Sequence, residues 1–149
     1  MNNHPYLRAY MAGISVPTPL LLVALTLFFI ARFVYDIPVP VERAIIFPMA
    51  IIPNLFGIWN VLHLASRQYT HLPLGIHGAI LPLIIGPGGF VLGRGLGFLR
   101  TVHHGFTYFG AVEIHYAFLV VLFPFALVVY YLVWKYLIGF VNGVVDIAE

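Results

Sequence analysis

The stretch Ile84–Arg100, IIGPGGFVLGRGLGFLR, carries six glycines, Pro87 and Arg94 inside an otherwise apolar run. It admits three readings: a ligand loop, a broken membrane span, or a helix built for close packing. On a helix that turns about 100° per residue, Gly86, Gly89, Gly93 and Gly97 fall within an arc of about 80°, one small-residue stripe. Lipid tails are as apolar as leucine, so helices in a bilayer gain little from burying apolar surface against each other; close backbone approach must hold them instead. A glycine stripe permits that approach. The phosphate-loop reading needs a GxGxxG or GxxxxGK pattern between a strand and a helix, and neither pattern is present. Pro87 and Gly88 together offer an alternative, an unwound mid-membrane helix, but no other span carries a matching break.

Composition sets the same direction. The chain has 149 residues, 62% hydrophobic and 8% charged, with a mean hydropathy of +1.00, which predicts an integral, multi-pass membrane protein. A formal charge of +2 with scattered basic residues leaves no footprint for nucleic acid. The absence of cysteine removes disulfides, thiolate metal sites and cysteine nucleophiles together.

A hydrocarbon core of about 30 Å needs roughly 20 apolar residues in helix. Stretches at about 18–35, 43–65, 74–99 and 113–134 meet that need. They predict an all-α membrane protein of four transmembrane helices, packed as an up-down-up-down antiparallel bundle in a single domain, 1–149. Residues Pro5 to Ser15 read as a short interfacial helix, with Tyr6, Arg8 and Tyr10 at headgroup level. Pro17 and Pro19 interrupt the start of the first apolar run and no small-residue cleavage pattern follows, so this span reads as retained. Lys135 serves as the basic stop of the fourth span. Basic residues divide almost evenly between the two ends of the bundle, so their count leaves its orientation open.

Polar groups inside the spans are the candidate sites. Asn60, His63 and Arg67 share a stripe with Pro53 and Gly57, a face that should point into the bundle because an unpaired amide in hydrocarbon costs several kcal/mol. Arg94 either snorkels toward its interface or pairs with Glu113, at the start of the fourth span. The histidines form two groups: His63 and His77, near His71, and His103, His104 and His115 beside Glu113. Either group holds enough nitrogen for a divalent metal, and His63 with His77 could ligate a haem, although His77 lies close to its helix start. Interfacial histidine is the bland alternative, and no cofactor is firmly implied. No nucleophile triad, HExxH motif or poised carboxylate pair is present.

Three functions follow, in order of preference. The first is a non-catalytic structural or accessory subunit of a homo-oligomer or larger membrane assembly, contacting the bilayer and other membrane helices through the glycine stripe. The second is a haem- or metal-binding redox protein; the third is a small transporter or proton-linked carrier using Arg94, Glu113 and His104.

Overall fold

The computed structural model describes residues 4–37, 47–108, 110 and 112–147. Its helices are α1 (Pro5–Ser15), α2 (Pro17–Phe33), α3 (Phe47–Ser66), α4 (Leu74–Gly95), α5 (Tyr116–Leu132) and α6 (Gly139–Val144). Strands β1 (Leu99–Val102), β2 (Gly105–Tyr108) and β3 (Val112–His115) lie between α4 and α5. The chain divides into two compact units, 1–72 with 137–149, and 73–136.

In the first unit, α1 runs into α2 with only a break at Val16, giving one helical stretch from Pro5 to Phe33. Pro17 and Pro19 cannot donate backbone hydrogen bonds, and hydroxyls act beside the break: Ser15 donates to the Ala12 carbonyl at 2.8 Å and Thr18 to that of Ile14 at 2.6 Å. The expected short helix is present with the same bounds, Pro5–Ser15. Its Ala9, Ala12 and Gly13, spaced three and four apart on one face, are buried, and a Cβ on Gly13 would lie 2.7 Å from the Gly57 Cα of α3. Two helices touch backbone to backbone there, which only small residues allow. The expected start of the second span at Arg43, after Glu42, lies outside the described residues.

In the second unit, α4 continues through Pro82, Pro87 and Gly88 without unwinding. It ends at Gly95, not at residue 99, because Gly97 takes the left-handed conformation (φ 75°). Phe98 N–H then bonds the Gly93 carbonyl at 2.7 Å and Gly97 N–H that of Arg94 at 3.1 Å, a Schellman ending that satisfies orphan carbonyls. The expected continuous helix through Arg100 is thus overturned, and the all-α expectation gives way to a small three-stranded antiparallel sheet in the order β1-β2-β3. Val102 pairs with Gly105 across the His103–His104 turn, and Gly105 with His115.

Helix α5 starts at Tyr116, so Glu113 belongs to a strand. Lys135 does not stop this helix either: a π-helical stretch, Val133–Ile138, carries it on to Val144. The Lys135 ammonium lies 5.6 and 5.3 Å from the ring centroids of Tyr131 and Tyr136, positions that suit a cation–π contact. Three helical stretches, Pro5–Phe33, Leu74–Gly95 and Tyr116–Val144, are long and apolar enough to cross a membrane.

Candidate functional site

The small residues of α4 extend further than the glycine-rich stretch. At about 100° per residue, Gly75, Gly78, Pro82, Gly86, Gly89 and Gly93 share an arc of about 80°. Their surroundings differ along its length. A Cβ on Gly75 would lie 2.7 Å from the Tyr131 ring, and one on Gly78 would overlap the indole of Trp134, which is fully buried. His77, also buried, meets that indole edge-on at 6.1 Å. A Cβ on Gly86 would stand 3.8 Å from Phe123, while at Gly88 and Gly89 it would meet nothing within 4 Å. Close helix contact therefore occupies the Gly75–Gly78 end, and the two helices part above it.

Above Gly86 lies an apolar groove of about 650 Å³. Pro87 and Phe90 line one wall, Tyr116 and Phe123 the other, and Leu99 and Phe106 of the sheet line it as well. The Phe106 ring lies 5.9 Å from that of Phe90 and 6.5 Å from that of Tyr116, centroid to centroid. Leu99 folds back onto Gly93, filling the space a side chain would need there.

The sheet has two unlike faces, because neighbouring residues on a strand point opposite ways and paired residues point the same way. Leu99, Phe106 and Ile114 share one face; Arg100, Thr107, Glu113 and His115 share the other. Arg100, Glu113 and His115 are exposed, as are His103 and His104 at the turn, whose rings lie 5.7 Å apart. Burial raises the pKa of the Tyr108 phenol above its ordinary value. Arg94 is exposed in the last turn of α4, and no ion pair joins it to Glu113.

In the first unit the polar stripe of α3 is partly enclosed. Asn60 is 1% exposed and Asn142 of α6 is 4% exposed. The Asn60 amide donates to the Ala9 carbonyl and to the Asn142 side-chain oxygen, each at 2.8 Å; Asn142 returns a bond to Asn60 at 3.3 Å. This pair ties α1, α3 and α6 together. One turn earlier on that stripe, Gly57 lies against the Tyr10 ring, whose hydroxyl donates to Asn54. His63 and Arg67 are half-buried at the α3 end. Arg8 reaches Asp146 at 3.8 Å, with the carboxylate side chain 95% exposed, so the pair contributes little.

Of the histidines, His63 belongs to the first unit and His77 to the second. His103 and His104 adjoin at the hairpin turn, while Glu113 and His115 follow along one face of β3. Among the described residues no three His, Asp or Glu side chains converge as a metal site would require. The groove, the sheet and the tight Gly13–Gly57 and Gly78–Trp134 contacts escaped the sequence reading. The signals were present: Ala9, Ala12 and Gly13 at helical spacing, and alternation in VEIH, Val112–His115. Comparison with known proteins found no matching family model, no matching curated relative and no matching solved structure.

Proposed function

We propose that this chain is a multi-pass membrane protein acting as a non-catalytic subunit of a homo-oligomer or larger membrane assembly, with the open side of α4 at Gly88 and Gly89 as its contact. In this reading α3 supplies a fourth span, and the bundle runs up and down through the bilayer. Support for membrane residence comes from the apolar side chains that face outward: Phe118, Val120, Val121, Phe125 and Val128 of α5 are all more than half exposed. Exposed apolar surface on that scale is costly in water and costs nothing in lipid.

The observation that carries the contact is the open space at Gly88 and Gly89, where a Cβ meets nothing within 4 Å among the described residues, on an apolar helix whose Gly75, Gly78 and Gly93 lie against side chains; Gly95, in its last turn, is open as well. Glycine inside a helix costs about 1 kcal/mol relative to alanine, so two adjacent glycines that no described residue covers invite a reason outside the chain. Gly88→Leu and Gly89→Leu separate the possibilities. A Cβ at either position meets nothing within 4 Å among the described residues, so each variant should fold with unchanged helicity, yet its complexes, read by cross-linking and native mass spectrometry from nanodiscs, should fall apart. Gly78→Leu, which drives a side chain into Trp134, should lose the fold itself. Full assembly by Gly88→Leu and Gly89→Leu would end this reading.

A further inference from the structure

We propose that the groove above Gly86 holds one acyl chain of an anionic phospholipid, with Arg94 at its mouth binding the lipid phosphate. This goes beyond the assembly contact and uses another side of α4. At about 100° per residue, Pro87, Phe90 and Arg94 lie within about 60° of one another, whereas Gly88 and Gly89 lie at least about 100° from Phe90.

The depth of the groove selects its occupant. Along α5 the lining runs from Tyr116 to Pro124, a rise of about 12 Å, close to the roughly 15 Å hydrocarbon depth of a single leaflet. A transmembrane helix would need about twice that length. It would also find the way closed, because beyond Gly86 the α4 face is filled by Trp134 and Tyr131. A flexible hydrocarbon chain fits a slot that is apolar and short, bounded by Phe90, Phe106 and Phe123.

Charge selects the headgroup. Arg94 stands one turn beyond Phe90, in the last turn of α4, where a long side chain reaches the headgroup layer. Arg94 is exposed and, among the described residues, carries no ion pair. The exposed Arg100, Glu113 and His115 lie on the sheet face opposite Leu99 and Phe106, so the charge on the groove side is that of Arg94, beside Phe90 on α4. An arginine fork binds phosphate oxygens in paired, charge-assisted hydrogen bonds, and its fixed positive charge favours a net anionic lipid. The sheet thus presents Leu99 and Phe106 to the chain while its polar face stays in water.

The test is lipid titration of the full-length protein in mild detergent, followed by native mass spectrometry, using phosphatidylglycerol, phosphatidylcholine and inorganic phosphate as separate probes. One phosphatidylglycerol should bind in preference to phosphatidylcholine, and inorganic phosphate alone should neither bind nor compete. Arg94→Gln should weaken phosphatidylglycerol about tenfold and erase the preference over phosphatidylcholine; Arg94→Lys should retain part of it. Val120→Trp, which fills the groove from an exposed position on α5, should abolish binding without touching the charge. Undiminished binding in Arg94→Gln or in Val120→Trp overturns the proposal, as does competition by inorganic phosphate. Monomeric protein that keeps its lipid, or Gly89→Leu that loses partners and keeps lipid, supports this site irrespective of the assembly contact.

Discussion

Removing the Asn60–Asn142 pair measures what holds the first unit together. The two amides exchange hydrogen bonds at 2.8 and 3.3 Å while nearly excluded from solvent. Side-chain hydrogen bonds between membrane helices are worth about 0.6 kcal/mol on average and about 1.7 at most, so two of them predict a coupling of about 1–3 kcal/mol. Asn60→Leu also strands the Asn142 amide and frees the Ala9 carbonyl from a 2.8 Å bond. Asn142→Leu strands less, because Asn60 can still donate to Ala9. Asn60→Leu should therefore destabilise more than Asn142→Leu, and the double variant should lose about 1–3 kcal/mol less than the sum of the two. Reversible unfolding in mixed detergent micelles, followed by circular dichroism, supplies all four corners of the cycle. Additivity within about 0.3 kcal/mol would refute the buried reciprocal pair. Equal costs for the two single variants would refute the third bond to Ala9.

Two further outcomes test the sheet end. Gly97→Ala forces an L side chain into a left-handed position, φ 75°; the steric cost of about 1–2 kcal/mol, less the entropy lost by the unfolded chain, leaves a net loss of about 1 kcal/mol. Hydrogen exchange should show it first at the Phe98 amide, whose bond to Gly93 closes the α4 end; unchanged protection there contradicts the Schellman ending. Burial raises the Tyr108 pKa in the folded protein, so the neutral phenol favours folding. Its contribution is fully present below the unfolded value near 10 and is lost as pH rises through the higher folded value. Thermal unfolding from pH 9 to 11 should show a fall in midpoint that is shallower in Tyr108→Phe; superimposable profiles would remove the assigned burial.

The sequence alone settled what depends on composition and local chemistry. The apolar stretches near 18–35, 74–99 and 113–134 stand out by composition whatever they touch, whereas the α4 end at Gly95 does not, the expected helix running on to residue 99. The sequence also put Asn60 and Gly57 on one face, and the structure encloses both. Tertiary structure decided which small residues touch a neighbour. A glycine is only an absence of side chain, so Gly13, Gly57 and Gly78 became contacts because another helix arrived there, while Gly88 and Gly89 within the same chain did not. It also decided the sheet, since four-residue strands carry a period-two signal too short to compete with the apolar run beside them. Asn60 and Asn142 are 82 residues apart, a separation across which no local pattern reaches. Their partnership exists only because the folded chain brings both amides to one dry place, where each satisfies what water no longer can.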